Sequence, residues 1–336
     1  VPQNRMLKSI LKNNTLIAND YIEFNTASNG HYTIGTIGGN PNSSTDDNKK
    51  MLFGHPGGGT SKTTIVVGES INEFTSSNVT YDADGSKSVS KASYDGVDVT
   101  QELSIIENSA TGRDDVVKIK YIVKNDTEYA KQVGIRIMMD TMLGGNDAAP
   151  FRVNGSDVTT ETVYSGSNIP QIWQAFDSAT NPGVVAQGTF YKSGDRKPDK
   201  VQFTNWGNVT STLWDYVTQP GRSNGDSAVS ITWNKDTFTS GETREFVTYY
   251  GLSELEQNLI PPLALSVYAD NKVSISNFNY DDINANVYLD NIGDGDATDV
   301  SIKITADNLE PKYGTSLTHN YSVIKPSKSY SIPLKF

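Results

Sequence analysis

Apolar and polar residues alternate along most of the chain, which is the pattern of β-strands that bury one face. Residues 116–124 read VVKIKYIVK, residues 125–127 supply an Asn-Asp-Thr turn, and residues 133–139 resume the alternation as VGIRIMM. This arrangement predicts a β-hairpin or a pair of neighbouring strands.

Further segments with strand character are short and are separated by Gly, Asn, Asp and Ser, the residues that turns favour. They predict strands at residues 15–24, 31–36, 63–67, 97–106, 183–191, 200–203, 228–233 and 244–250. Few segments have helical periodicity, so the sequence predicts an all-β fold whose larger part is a large antiparallel β-sandwich.

The pattern changes after Gly251, which marks a domain boundary. Residues 252–258 form a short helix-like or linker segment, and the Pro-Pro pair that follows stops either a helix or a ladder from continuing. The alternation then restarts, with strands expected at residues 263–269, 272–278, 281–290, 299–306 and 329–336. We therefore predict a large β-sandwich domain with an N-terminal arm at residues 1–251, a linker at 252–262 and a small Ig-like β-sandwich at 263–336.

The small domain carries the turn motif of a known family. Residues 287–304 read VYLDNIGDGDATDVSIKI, and residues 324–328 read IKPSK before the last strand. An Asn-x-Gly turn followed by Ala, Val and alternating apolar residues resembles the bacterial CARDB-type adhesion-associated module, and the matching positions are Asn291, Gly293, Ala297, Val300, Ile302 and Ile304. The resemblance implies an Ig-like sandwich that spaces or displays a neighbouring domain on a surface and carries no catalytic residues.

The larger domain resembles a second group at the level of the fold. Its strand, Asn-centred turn and strand across residues 118–139, followed by an aromatic and Gly-rich stretch, is similar to the supersandwich of galactose-mutarotase-like and related carbohydrate-active domains. Catalysis in that family uses His and carboxylate groups in a central cleft, whereas His31, His55 and His319 lie outside the corresponding middle strands. The resemblance implies the fold and argues against sugar epimerisation.

Composition and charge narrow the classes of function. Apolar residues make up 36% and aromatic residues 10% of the 336 residues, which favours a folded chain. The formal net charge of -11 opposes binding to nucleic acids and anionic lipids, and the chain has no run of 18 apolar residues that would span a membrane. The absence of cysteine is typical of exported proteins of many Gram-positive bacteria, so we expect an extracellular or cell-surface location.

All four tryptophans lie between Trp173 and Trp233, in a stretch rich in Asp, Asn and Gly. Aromatic faces beside carboxylates and amides suit a sugar, which has an apolar ring face and polar hydroxyls. The candidate carbohydrate-binding residues are Trp173, Trp206, Trp214, Tyr216, Arg222 and Asp177. The alternative is that these aromatics fill a sandwich core, and Trp233, which shares a strand face with Ile231, is assigned to that core.

Three acidic segments suit calcium, which binds six to eight oxygens from carboxylates, amides and carbonyls in Gly-rich loops. None matches the EF-hand pattern, and the alternative is that these side chains cap turns. The candidate calcium ligands are Asp46 and Asp47 in the first segment, Asp140 and Asp147 in the second, and Asp294 and Asp296 in the third.

Other chemistries are less well supported by the sequence. The Gly-rich residues 53–62 precede a strand and lack the order of a P-loop, which leaves a surface loop or the rim of a ligand site. His55 has no second histidine nearby, which argues against structural zinc. A glycosidase needs two facing carboxylates, and the sequence does not decide which two converge among Asp140, Asp147, Glu161, Asp177, Asp215 and Asp226.

The first interpretation is a non-catalytic, exported bacterial protein whose aromatic and Asp-rich cluster binds carbohydrate or another cell-surface ligand. The second is a structural subunit of an extracellular layer, appendage or fibre that self-associates through strand edges. The third is a glycan-processing enzyme of the supersandwich group.

Overall fold

The computed structural model describes residues 7–11, 14–82, 85–108, 111–154, 156–253, 263–270, 275–276, 279–280, 282–291, 296–325 and 328–336. These residues are nearly all β, and their large sheets are antiparallel, so the predicted all-β sandwich class is confirmed. Among the described residues, no helix is long and apolar enough to cross a membrane.

The first nineteen strands, in chain order, are β1 Leu7–Leu11, β2 Asn14–Ala18, β3 Ile22–Ala27, β4 Tyr32–Thr36, β5 Lys62–Val67, β6 Ser70–Glu73, β7 Val79–Tyr81, β8 Lys87–Tyr94, β9 Val97–Asn108, β10 Arg113–Asn125, β11 Lys131–Asp140, β12 Phe151–Val153, β13 Ser156–Val158, β14 Thr162–Ser165, β15 Ile172–Phe176, β16 Val185–Thr189, β17 Lys200–Asn205, β18 Ser227–Phe238 and β19 Thr243–Leu252. The remaining strands are β20 Leu263–Ala269, β21 Ile275–Ser276, β22 Asn279–Tyr280, β23 Asn284–Asn291, β24 Ala297–Lys303, β25 Thr318–Ile324 and β26 Ser329–Lys335. A single helical turn, α1, spans Trp206–Val209, and a 3-10 turn spans Gly166–Asn168.

The chain divides into two compact units. The larger contains Val1–Phe151, Asp157–Tyr191 and Asp195–Ser253, and the smaller contains Arg152–Ser156, Lys192–Gly194 and Glu254–Phe336. The predicted linker lies largely outside the described residues, because residues 254–262 are not described.

Three sheets precede residue 254. One has the order β1-β2-β3-β4, a second has the order β13-β12-β15-β16-β19-β10-β9-β8-β7, and a third has the order β14-β17-β18-β11-β5-β6. The segment predicted as one strand at residues 15–24 is the β2–β3 hairpin, because the Asn19 side chain accepts hydrogen bonds from the backbone amides of Tyr21 and Ile22 and so forms a turn.

The nine-stranded and six-stranded sheets pack face to face around an aromatic core. Trp233 of β18 meets Phe246 of β19 with ring centroids 5.5 Å apart, and the hydroxyl groups of Thr63 in β5 and Tyr121 in β10 are hydrogen-bonded at 2.6 Å. Trp233 is fully buried, which confirms its assignment to the core. Alternation along each strand therefore fills one shared interior, as a β-sandwich requires.

The predicted pairing of residues 116–124 with residues 133–139 is wrong. β10 pairs with β9 and β19 in one sheet, whereas β11 pairs with β18 and β5 in the other. The intervening turn crosses between the layers, and the buried Asn125 amide donates hydrogen bonds to the carbonyl oxygens of Tyr129, Phe238 and Thr239. The bonds to Phe238 and Thr239 join the two layers, the bond to Tyr129 holds the connection itself, and together they fix an arch instead of a hairpin.

The smaller unit has its own core. Its sheets are β20-β23-β26, β21-β22 and β24-β25, and alternate residues of β23 are buried. The buried cluster contains Ala285, Val287, Leu289, Ala297, Ile302, Ile324, Ile332 and Leu334. The Asn291 amide donates a 2.8 Å hydrogen bond to the Ile324 carbonyl, which ties β23 to the end of β25. The resemblance of this unit to a CARDB-type module remains a prediction.

Candidate functional site

Four strand ends meet at one end of the six-stranded sheet. In the antiparallel register Asp140 of β11 lies opposite Ala228 of β18, and Ser227 lies opposite Asn205 of β17. On the other side of β11, Met138 lies opposite the first residue of β5. The loops that leave or enter these strands are therefore brought together, although they are far apart in the sequence.

Three carboxylates converge here and form what we call the acidic cluster: Asp140, Asp147 and Asp226. Asp140 is the last residue of β11, Asp147 lies in the loop that follows, and Asp226 directly precedes β18. Each offers one carboxylate oxygen to a group of three atoms that all lie within 4.8 Å of one another. The predicted pair Asp140 and Asp147 is thus brought together, and Asp226 joins it.

The hydrogen bonds of the acidic cluster leave two buried oxygens unpaired. The Thr60 hydroxyl donates to Oδ2 of Asp140, and the backbone amide of Asp140 donates to Oγ of Ser61 at 3.0 Å. Oδ1 of Asp140 and Oδ1 of Asp147 are both buried and have no hydrogen-bond donor among the described residues. Asp140 as a whole is only 2% exposed, so bulk solvent has little access to its side chain.

All three carboxyl groups have raised pKa values. Burial raises the pKa of Asp140 to about 7, and the charges of Asp226 and Asp147 add to the effect, whereas the Thr60 hydrogen bond opposes it. Burial also raises the pKa of Asp226, with a further contribution from Asp147. For Asp147 burial again raises the pKa, and Lys50 opposes that shift. The fold therefore holds these groups where their negative charge is disfavoured.

Such a cluster suits two kinds of chemistry. Carboxylate oxygens are the ligands that hard divalent cations prefer. Neighbouring carboxyl groups in different environments also supply an acid and a base for hydrolysis. Both require the oxygens to be reachable by a ligand, and Asp147 and Asp226 are partly exposed.

Trp206 lies beside the acidic cluster. It opens α1, whose N-cap is Asn205, and its backbone amide donates a 2.6 Å hydrogen bond to the carbonyl of Asp226. Trp206 is partly exposed, its indole Nε1 is buried without a hydrogen-bond acceptor among the described residues, and the side chain packs against a small buried cluster that includes Met138 and Ala228. Because these two residues share a sheet face with Asp140, the indole and the acidic cluster lie on the same face.

The other aromatic candidates do not form an exposed platform. Trp173 is 1% exposed, stacks on Tyr250 with centroids 5.3 Å apart and meets Phe203 edge-on at 5.7 Å, so its ring belongs to the core between the sheets. Its assignment to a ligand surface is corrected for this reason. Trp214 and Tyr216 are also buried, at 8% and 7% exposure.

Trp214 and Tyr216 belong to residues 206–224, which we call the covering segment because it lies over the outer face of the six-stranded sheet. The Trp214 ring lies against Gly134, where a Cβ atom would approach it to 2.6 Å. Buried Arg136 donates hydrogen bonds to the carbonyls of Val209, Thr212 and Trp214 at 2.9–3.3 Å. Burial lowers the pKa of Arg136 to about 10, with Asp215 opposing the shift.

Glu161 holds the opposite side of the covering segment. Its carboxylate accepts hydrogen bonds from the hydroxyls of Tyr216 and Thr204, the side-chain amide of Asn208 and the backbone amide of Gln219, at 2.8–3.0 Å. Burial by itself raises the pKa of Glu161, but these hydrogen bonds outweigh it and hold the pKa below its ordinary value. Tyr216 therefore serves this structural network.

The last two predicted ligand-binding residues are not members of the acidic cluster, although the Asp177 carbonyl accepts a 2.9 Å hydrogen bond from the Asn146 side chain, beside Asp147. Arg222 is exposed at the end of the covering segment. Oδ1 of Asp177 accepts the backbone amides of Gly183 and Val184 at 2.8 and 3.2 Å and thus caps a turn. The sequence left turn capping open as the alternative role of the acidic side chains.

The remaining candidate calcium ligands do not form a cluster of three among the described residues. Asp46 is buried within its own loop, where Oδ2 accepts the Asn40 amide at 2.8 Å, and Asp47 is partly exposed beside it. Asp294 lies outside the described residues. Asp296 is exposed and forms a 2.6 Å ion pair with Lys325.

The Gly-rich loop has two roles in the structure. Its end supplies Thr60 and Ser61, whose side chains are hydrogen-bonded to Asp140. His55 is buried, with Nε2 2.8 Å from a Glu23 oxygen and Nδ1 3.1 Å from the Thr33 hydroxyl. Both ring nitrogens are engaged in this network, which accounts for the histidine structurally.

Comparisons with known proteins give alignments at low similarity. No protein-family model matches the chain, and no curated protein does. Solved structures that align include a polysaccharide lyase at 11% identity (84% of this chain, 38% of the lyase, TM-score 0.42) and a heparinase III at 9% identity (87% and 41%, TM-score 0.37). A galactose mutarotase related enzyme from Lactobacillus acidophilus aligns at 8% identity (72% and 97%, TM-score 0.39). The chain spans about two fifths of the lyase and of the heparinase, and likeness at this level does not assign a function.

Proposed function

We propose that the larger unit binds carbohydrate without catalysis, at the end of the six-stranded sheet where Trp206 lies beside the acidic cluster. The observation that carries this proposal is the difference between Trp206 and the other predicted aromatics. Trp206 is partly exposed, whereas Trp173, Trp214 and Tyr216 are buried.

The chemistry of the surface matches a sugar. An indole face stacks on the apolar face of a pyranose, and sugar hydroxyls donate hydrogen bonds to carboxylate oxygens. Asp147 and Asp226 are partly exposed at the same end of the sheet as Trp206 and offer such oxygens. A ligand that uses both features at once would gain orientation as well as affinity.

The proposal also concerns where the protein acts. We place it outside the cell at a bacterial surface, with the Ig-like unit as a spacer or display element. Support comes from the absence of cysteine and from the resemblance of residues 287–304 to the adhesion-associated module. Cell fractionation and surface labelling of the source organism would test the location, and an exclusively cytosolic protein would contradict it.

The binding test is a glycan array followed by titration calorimetry on the best ligand. We expect Trp206→Ala to weaken binding by about 5- to 30-fold, since a lost stacking contact costs on the order of 1–2 kcal/mol. Trp206→Phe, which keeps an aromatic face, should retain most of the affinity. Tyr129→Ala is the matched control, because Tyr129 is an exposed aromatic just before β11, at the end of that strand opposite to Asp140.

Circular dichroism of each variant separates a binding defect from misfolding. Unchanged affinity in a folded Trp206→Ala protein would refute the assignment of this surface. Equal losses in the Trp206 and Tyr129 variants would show that the effect is not specific to the site.

The geometry also favours a second candidate, a glycan-processing enzyme. The carboxylate oxygens of the acidic cluster lie within 4.8 Å of one another, close to the separation of about 5–5.5 Å used by retaining glycosidases. Turnover of a panel of glycosides and polysaccharides tests this candidate, with Asp140→Asn as the variant expected to abolish it. Turnover that Asp140→Asn leaves intact would come from another site or a contaminant.

A further inference from the structure

We propose that Asp140, Asp147 and Asp226 form a binding site for a hard divalent cation of the class of Ca2+ and Mg2+. This inference goes beyond carbohydrate binding and does not depend on it. The sequence pointed to two of these residues within one loop, and the structure adds Asp226 as the third ligand.

The separation of the oxygens fits one ion. Two ligands on opposite sides of the same Ca2+ lie about 4.6–5.2 Å apart, since each Ca–O distance is about 2.3–2.6 Å. The three oxygens of the acidic cluster all lie within 4.8 Å of one another, and an ion equidistant from three atoms at that limit lies about 2.8 Å from each, so a small movement of the side chains brings all three within the Ca–O distance. Mg2+, with ligand distances of about 2.0–2.1 Å, needs the three oxygens closer together than Ca2+ does, so Ca2+ should bind more tightly.

A second observation points to a ligand independently of the clustering. Asp140 is only 2% exposed, and its buried Oδ1 has no hydrogen-bond donor among the described residues. Oδ1 of Asp147 is buried and without a donor in the same part of the structure. Buried acceptors of this kind are rare unless an ion or water satisfies them.

The backbone at the three ligands is already fixed. The carbonyl of Asp140 accepts the Phe53 amide at 2.9 Å, and the carbonyl of Asp147 accepts the Ser227 amide at 2.8 Å. The carbonyl of Asp226 accepts the amide of Trp206. Positions held in this way need little reordering when an ion binds, which favours affinity.

The charges around the cluster also favour a cation. Three carboxylates lie together, and the described basic side chain that acts on them electrostatically is Lys50, through Asp147. A divalent ion would offset the mutual repulsion that one lysine leaves in place.

The test uses the purified full chain after treatment with a chelator, with CaCl2 and MgCl2 titrated separately and no sugar present. We expect saturable binding of one Ca2+ by calorimetry, and a rise in melting temperature of about 5–10 °C at 100 times the Kd. Binding of Mg2+ should be weaker. Asp147→Asn and Asp226→Asn should each weaken Ca2+ binding by about 10-fold or more, because affinity follows the number of charged ligands.

Asp177→Asn is the matched control, because Asp177 is a partly exposed aspartate of the same unit outside the cluster, and Asn keeps the acceptor that caps its turn. Its Ca2+ response should equal that of the wild-type chain. The inference is overturned if neither cation binds saturably, or if binding persists unchanged in both cluster variants. Since the experiment contains no sugar, a failure of carbohydrate binding does not affect the test of cation binding. A failure of cation binding likewise does not decide whether the protein binds carbohydrate.

Discussion

Replacing Glu161 by Gln tests whether one buried carboxylate holds the covering segment in place. Its two oxygens accept four donors: Thr204, Asn208, Tyr216 and the backbone amide of Gln219. In Glu161→Gln an amide NH2 group replaces one carboxylate oxygen. It then faces at least one N–H or O–H donor whose orientation is fixed by the fold. We therefore expect the loss of at least two charge-assisted hydrogen bonds.

The expected loss of stability in Glu161→Gln follows from the hydrogen bonds that are lost. Hydrogen bonds to a charged group contribute about 1.5–3 kcal/mol each, and relief of the buried charge offsets part of the loss. We expect Glu161→Gln to lower the free energy of unfolding by about 2–4 kcal/mol at pH 7. For a unit of this size that corresponds to a fall of about 5–15 °C in the melting temperature.

The effect should depend on pH with a defined sign. The folded-state pKa of Glu161 lies below its ordinary value of 4.5, so the folded protein binds fewer protons than the unfolded chain near that pH. The stabilisation is therefore fully present above about pH 4.5 and is lost as the pH falls through the folded-state pKa. The difference in the free energy of unfolding between the wild type and Glu161→Gln should become smaller over the same pH range.

Urea unfolding monitored by circular dichroism from pH 7 to pH 3 measures both the loss of unfolding free energy and its dependence on pH. The control is Glu102→Gln, since Glu102 forms surface ion pairs with Lys87 and Lys120 that contribute at most about 1 kcal/mol. A loss below about 0.5 kcal/mol in Glu161→Gln, or a loss that stays constant down to pH 3, would refute the role given to this carboxylate.

Two further substitutions probe the packing that surrounds the site. Gly188→Ala places a Cβ atom 2.0 Å from the Trp173 ring, so we expect destabilisation by about 3 kcal/mol or more in thermal unfolding, and a stability equal to the wild type would contradict the position of Trp173. Arg136→Met removes the donors to three carbonyls of the covering segment; limited proteolysis should cut that segment faster, and an unchanged cleavage rate would contradict the contacts described for Arg136.

The strands were predictable because alternation records which face is buried, but alternation does not record which sheet a strand joins. Residues 116–124 and 133–139 show the same pattern whether they form a hairpin or an arch. The arch depends on the Asn125 side chain, which bonds to carbonyls near residue 238. That contact spans more than 110 residues, so local reasoning does not reach it.

The aromatic residues show a similar limit. Trp233 was placed correctly because it alternates with Ile231 within a strand. Trp173 lies in β15, where four of the five residues are buried, so alternation gave no signal. The available signal was Gly188, which lies opposite Trp173 in the register with β16 and leaves room for its indole. This signal becomes informative only when the pairing of β15 with β16 is known.

In the acidic cluster, one part was predictable from local sequence and another part depends on strand pairing. Asp140 and Asp147 are seven residues apart, so a single Gly-containing loop brings them together and their proximity was predictable. Asp226 reaches the same point because β18 pairs antiparallel with β11, and that register places its start beside the end of β11. A distant residue of this kind becomes a candidate ligand only when the strand pairing is known.

Asp140 and Glu161 are two buried carboxylates of one unit that the fold treats differently. Glu161 receives donors for both oxygens, and its pKa lies below the ordinary value. Asp140 receives the Thr60 hydroxyl on one oxygen and no described donor on the other, and two more carboxylates lie close to it. A carboxylate that serves only the fold is expected to be satisfied by the fold, as Glu161 is. The position of Asp140 costs the protein free energy when no ligand is bound, because a buried carboxylate oxygen lacks a hydrogen-bond donor. Buried polar groups without partners concentrate at ligand-binding sites.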